Sequence, residues 1–436
     1  MKSVKISLIT AIVSSLALNA TPLEEAIKDV DISGSLRYRY DTFIERKSKD
    51  YSDAQLHKFN AQLTTSVNLG EGFKAVGTLH YNPDDEGDGG FNAGANTKLP
   101  IYLEEAYLRY DSDEIYATSI LLGRQRLNTI WTDNDNLGAS VGMKAQLINQ
   151  ALTGVTLTAF AIDSVNDDGD FAGANLGSGF AEFDATASNP NSFITGKYDT
   201  LKDSIFSQNI YGAAVILDYA ESAGVAAQAW FGYINDRMSM YAFDLAYNLN
   251  FADSGSWNLQ AQYLGNKALS YLKSDEFQAA SGGFSNASLY TIATGVEFLG
   301  FDASVGYTSY GKKDKFSINV LEDMGDIITA GEEIQNLEGV SLHGSKGKNQ
   351  IVFASAGYLI NDLVRLGVDY AWGTTKMSAD ENGNTKKTNQ EIVGRLEYHH
   401  SDKLTFSGFY SYLTQKPEFE ETKKQDNIRF EARYDF

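Results

Sequence analysis

Along residues 427–436, NIRFEARYDF, the apolar side chains Ile428, Phe430, Ala432, Tyr434 and Phe436 alternate with Arg429, Glu431, Arg433 and Asp435. A period of two with one oily and one ionic face is the pattern of a strand whose two sides meet different media. Residues 56–69, LHKFNAQLTTSVNL, repeat it: Phe59, Ala61, Leu63, Val67 and Leu69 share one face, and Lys58, Asn60, Gln62, Thr64, Ser66 and Asn68 the other. Read for this alternation between turn residues, the chain yields eighteen candidate strands: 31–43, 56–69, 73–82, 101–110, 116–127, 138–149, 153–163, 207–220, 223–235, 237–250, 255–268, 289–299, 300–310, 349–360, 361–374, 387–400, 403–414 and 427–436. Most hold 10 to 14 residues. Strands of soluble proteins average about 5 or 6 residues, whereas a tilted membrane strand needs about 9 to 11.

The connections fall into two classes that mostly alternate. Short ones such as GEG (70–72), DSDEI (111–115) and HSDK (400–403) interleave with long ones at 83–100, 164–206, 269–288 and 311–348. Short turns on one rim, long loops on the other, an even strand count and both termini on the short-turn side predict an all-β fold, a transmembrane antiparallel β-barrel of 18 strands with periplasmic turns and extracellular loops. Closure also removes the sheet edges that lipid cannot hydrogen-bond. Loops this long would argue against a compact soluble domain, but in this architecture they fold over or into the mouth. A final edge strand of a soluble sheet is the competing reading of 427–436.

The first twenty residues differ in kind. Lys2 and Lys5 precede the apolar run ISLITAIVSSLAL, and LNA ends at Ala20, the layout of a cleaved secretory signal. Residues 1–20 are therefore expected to be removed, leaving 21–436 as a single barrel domain with a brief lead-in at 21–30. Loss of Lys2 and Lys5 takes the formal charge from −21 to −23, which disfavours nucleic acid as a partner. The chain has no cysteine, so a disulfide framework, a thiolate metal site and a Cys nucleophile are excluded. With 25 Tyr, 24 Phe and 39 Gly against 5 Pro, the composition suits many strands and glycine-bearing turns.

Five further stretches, ATPLEEAIKDVDISGSLRYRYDT (20–42), IWTDN (130–134), LTAFAIDS (157–164), YLGN (263–266) and AGEEI (330–334), occur in this order and resemble the major outer membrane protein porins of the campylobacter type. The resemblance runs from the leader to the final Phe. It implies an eighteen-stranded homotrimeric general diffusion porin of the outer membrane, a passive channel for small hydrophilic solutes, usually cation-preferring. A barrel enzyme of the outer membrane and a surface adhesin are the alternatives. No GxSxG, HExxH or phosphate-binding loop supports the enzyme.

The chemistry of a porin is its lining. Arg37, Arg39, Arg109, Arg124, Arg126, Arg395 and Arg429 lie in strands on faces consistent with the lumen, and an Arg on the lipid face would cost about 2–4 kcal/mol near the midplane. They form a candidate basic wall. Opposite it, an acidic constriction is expected from Asp133 and Asp135 after strand five, Asp163, Asp168 and Asp170 around strand seven, and Glu322 after strand thirteen. NPDDEGDGG (82–90) and NDDGD (166–170) lack the twelfth-position Glu of an EF-hand loop. In the family the mouth loops converge, so the resemblance allows Asp135, Asp170 and Glu322 to share a structural Ca2+; no cofactor is otherwise required. The five histidines, His57, His80, His343, His399 and His400, read as solvated polar residues.

Overall fold

The computed structural model describes residues 30–47, 50–81, 101–112, 116–132, 140–166, 208–252, 255–280, 283–322, 324–329, 331–337, 339–342, 344–379 and 382–436. The expected leader, 1–20, lies outside them. The strands are β1 (Val30–Lys47), β2 (Asp50–Gly70), β3 (Phe73–Tyr81), β4 (Tyr102–Ser112), β5 (Thr118–Arg126), β6 (Val141–Leu152), β7 (Val155–Asn166), β8 (Ile210–Tyr219), β9 (Val225–Ile234), β10 (Met238–Ala252), β11 (Gly255–Ala268), β12 (Ser288–Phe298), β13 (Phe301–Tyr310), β14 (Phe316–Ser317), β15 (Ser345–Lys346), β16 (Lys348–Ile360), β17 (Val364–Lys376), β18 (Lys386–Ser401), β19 (Leu404–Pro417) and β20 (Lys423–Asp435). β14 and β15 pair with each other as a two-residue ladder inside one loop, and the other eighteen form a single antiparallel sheet.

That sheet closes on itself, because β1 pairs with both β2 and β20, with Ser35–Arg46 running against Asp435–Lys424. Two backbone hydrogen bonds of 3.0 Å between Gly34 and Phe436 complete the seam at the turn rim. Each of the eighteen strands expected from alternation is present. β2 begins at Asp50 and β20 at Lys423, earlier than alternation suggested, because pairing with β1 continues above the band where one face is apolar.

Alternation settles which face meets lipid. Leu36 is 41% exposed on the outside, whereas its neighbour Arg37 is 6% exposed inside. The outer face carries Phe59, Leu63, Leu147, Phe231, Phe243, Ile292, Leu366 and Phe430, all exposed in the bare chain and suited to an apolar solvent. Aromatic rings gather at the short-turn rim, where Phe73 lies 4.6 Å from Tyr110 and Phe301 4.3 Å from Tyr358 between centroids.

The interior is divided. On the side of β7 to β13 and β16, inward-facing Phe160, Trp230, Met240, Leu264, Leu289 and Phe353 pack against side chains delivered by three connections. Leu127, Ile130 and Trp131 follow β5, Leu272, Phe277 and Phe284 follow β11, and Phe316, Ile318, Val320 and Leu321 follow β13. Trp131 meets Trp230 edge-on at 6.1 Å, and a Cβ on Gly232 would lie 3.3 Å from its ring. This half of the lumen is a dry core, and the polar half is bounded by β1 to β5 and β17 to β20.

Candidate pore constriction

The polar wall is a ladder of paired charges. On adjacent β1 and β20, register sets Arg39 opposite Glu431 and Asp41 opposite Arg429. Arg39 donates to Glu431 from Nη2 at 2.8 Å and from Nε at 3.0 Å, with Arg37 at 3.9 Å from the same carboxylate. Arg429 Nε donates to Asp41 Oδ1 at 2.6 Å, and its guanidinium lies 5.2 Å above the Phe409 ring. On β18, Arg395 Nε donates to Asp369 Oδ2 at 2.5 Å. Period two brings these residues to one face, and antiparallel register then sets unlike charges side by side.

The β13–β16 connection crosses the barrel to meet this wall. It starts against the β5–β6 connection, where Leu321 N–H and Glu322 N–H donate to the Trp131 carbonyl at 2.7 and 3.1 Å. It passes β11, where Gln262 donates to the Asp326 carbonyl and accepts from Ile328 N–H. It ends on β18 and β20: Arg395 pairs with Glu332 and donates to the Gly331 carbonyl at 3.2 Å, and Asn427 donates to Glu333. Glu391, fully buried on β18, accepts from the N–H groups of Glu332, Glu333 and Ile334 and from Ser411 Oγ. A cleft of about 210 Å³ remains between loop and wall, lined by Arg39, Glu332, Arg395, Phe409, Arg429 and Glu431.

Burial holds the Glu333 carboxyl above the usual carboxylate range, opposed by the Asn336 hydrogen bond and the Arg429 charge, while Glu391 and Glu332 push it further up. In this cluster Arg37, Arg39, Arg395 and Arg429 face Asp41, Asp369, Glu332, Glu333, Glu391 and Glu431. Six carboxyl groups here stand against four guanidiniums.

Of the seven arginines of the candidate wall, Arg37, Arg39, Arg395 and Arg429 come together at this eyelet. Arg109 sits toward the turn rim, where it donates to Asp111 at 2.8 Å. Arg126 lies 3.5 Å from Glu104 and donates to Gln62 at 3.0 Å, in a second polar cluster with His80. Arg124 is a correction to the wall: it pairs in register with Ala106 and with Met143, which is 49% exposed, so parity sets it on the outer face with Leu122, and its Nε donates to the Glu104 carbonyl at 2.7 Å.

Of the expected acidic groups, Asp133, Asp135, Asp168 and Asp170 lie outside the described residues. Asp163 is exposed where the register of β6 and β7 shifts. Glu322 is buried and accepts from Ser140 N–H at 2.6 Å, stapling two loops together. His80 is a correction: it is fully buried, in hydrogen-bond contact with Asn60 at 2.8 Å and Tyr102 at 2.7 Å, because period two turns it into the lumen. Among the described residues no group of three or more His, Asp or Glu side chains could hold an ion, and of the calcium trio only Glu322 is described.

Sequence reasoning passed over Glu332, Glu333, Glu391, Asp369 and the pair Glu104–Glu105, and placed Glu431 on the ionic face of 427–436 without giving it a role. A bulge opposite Thr78–Leu79 interrupts the alternation of β4, so both glutamates turn inward: Gln62 donates to Glu104 and Thr78 to Glu105. Two consecutive Glu inside a strand were the available signal.

Comparison with known proteins bears on this architecture. The family described as Campylobacter major outer membrane protein matches the chain over residues 1–436. No curated protein sequence matches. Among solved structures, OpdQ of Pseudomonas aeruginosa is similar with a TM-score of 0.65 at 13% identity, covering 94% of this chain and 99% of that one. OpdK of the same organism, solved with vanillate, gives 0.62 at 13% over 94% and 99%, and OccAB4 of Acinetobacter baumannii gives 0.62 at 13% over 93% and 98%. At these identities the likeness is one of fold.

Proposed function

Because the chain belongs to the Campylobacter major outer membrane protein family, and is thus a multi-pass porin-family protein of the bacterial outer membrane, we propose that it is a passive, water-filled general diffusion channel that passes small hydrophilic solutes and prefers cations. The observation that carries this reading is the eyelet, where carboxylates of an inserted loop and of the wall outnumber the guanidiniums they pair with. Ion pairing keeps the lining rigid, and the surplus negative charge sets the sign of the field. Three barrels acting together are part of the proposal.

The test is single-channel recording of the folded protein in a planar bilayer, with the reversal potential taken across a KCl gradient. Ohmic steps in groups of three and a reversal potential toward that of K+ are expected. Sealed bilayers from folded protein would overturn the channel reading, and a Cl−-directed potential would overturn the cation preference. A Ca2+ held by Asp135, Asp170 and Glu322 is the expectation that chelation tests: conductance unchanged by EGTA removes it.

A further inference from the structure

We propose that Glu391 is the positioning residue of the constriction: its carboxylate, seated among consecutive backbone N–H groups of the inserted loop, holds Glu332 and Glu333 against the wall. The electrical consequence rests on the channel reading, whereas the geometry stands without it.

Glu391 has no exposed surface, yet it carries a charge-bearing group. A carboxylate is retained in such a place only when donors replace its water. Here Glu332 N–H donates to both oxygens at 3.1 Å, Glu333 N–H to Oε1 at 2.9 Å, Ile334 N–H to Oε2 at 3.0 Å and Ser411 Oγ to Oε1 at 2.5 Å. Successive amides converging on one anion form a nest, a device that fixes backbone as firmly as it binds charge. Gly331 opens the nest with φ +94°, and a Cβ there would lie 2.4 Å from Glu391 Oε2, so only glycine lets the carboxylate in. Arg395, four residues on and on the same face of β18, grips the Glu332 side chain, but a guanidinium has no acceptor, so only Glu391 can take up the three amides.

Glutamine at 391 keeps one acceptor and turns an amide NH2 toward donors, and aspartate is one methylene too short. Without its anion the nest hydrates, and the two glutamates leave the eyelet.

The test combines hydrogen exchange with conductance. In the wild-type protein the amides of Glu332, Glu333 and Ile334 are expected to be protected, and Glu391→Gln to raise their exchange at least about tenfold, as loss of a charge-assisted hydrogen bond predicts. The same variant should conduct more, with its reversal potential nearer zero, and formate added to Glu391→Ala should restore protection and selectivity. Rapid exchange of these amides in the wild type overturns the proposal. So does folded Glu391→Gln with unaltered exchange, conductance and selectivity. If Glu391→Gln does not fold, the wild-type exchange and Gly331→Ala, expected to behave alike, still decide. Protected amides in a protein that seals bilayers would sink the channel reading and leave the positioning role standing.

Discussion

Under the proposed cation preference, Glu333 is the buried carboxyl through which pH would reach selectivity. Burial raises its pKa above the ordinary carboxylate value, so the folded protein holds this proton more tightly than the unfolded chain does. The sign follows: below the ordinary value the group contributes nothing, and as pH rises from that value through the raised one its ionisation withdraws stability. Glu333→Gln is therefore expected to be at least as stable as the wild type at neutral pH, by thermal unfolding followed through gel mobility. If the channel prefers cations as proposed, that preference is expected to fall on acidification and the same variant to flatten the fall, measured as reversal potential against pH. Trp131 acts at the same scale through volume. It is 2% exposed and seated against Trp230 and Gly232, so Trp131→Ala should cost about 3–5 kcal/mol of stability, read in the same unfolding assay.

Strands in this chain are specified by parity, and the exceptions to parity carry consequences. The alternation of 427–436 made the outward Phe430 and inward Arg429 legible before any fold was known. The β4 bulge broke that rule and brought Glu104 and Glu105 to the lumen together. Closure of β20 onto β1 depends on a second local feature. The Phe436 ring lies over Gly34, where a Cβ would come within 2.5 Å of a ring carbon and of the Gln62 carbonyl. Gly34→Val is expected to lower the yield of folded barrel, scored as the heat-modifiable fraction on gels; a normal yield would show that the seam tolerates a displaced terminal ring.

Across the whole molecule, the lumen divides into an apolar half and a charged half, so the proposed channel is expected to run off-axis, along β1, β18 and β20. Neutralising Glu431 removes the partner of Arg37 and Arg39 and should move the reversal potential toward zero. Asp244 stands on the far wall, bonded to Gln228, and Asp244→Asn should leave the potential unchanged; equal shifts for the two would show that current follows both walls. The sequence by itself determined the strand count, the facing of the regularly alternating strands such as 56–69 and 427–436, and the rim on which long loops lie, because a period of two and strand length are local properties set by the two solvents. Only the tertiary structure decided which loop crosses the pore and where it stops. Asp133, Asp135 and Glu322 were as acidic on paper as Glu332 and Glu333. Glu322 went to the Ser140 amide and Glu332 to Arg395, 63 residues away in the chain. Long-range pairing of this kind is fixed by closure of the barrel and by the apolar fill that steers the loop, and neither leaves a periodic trace in the sequence.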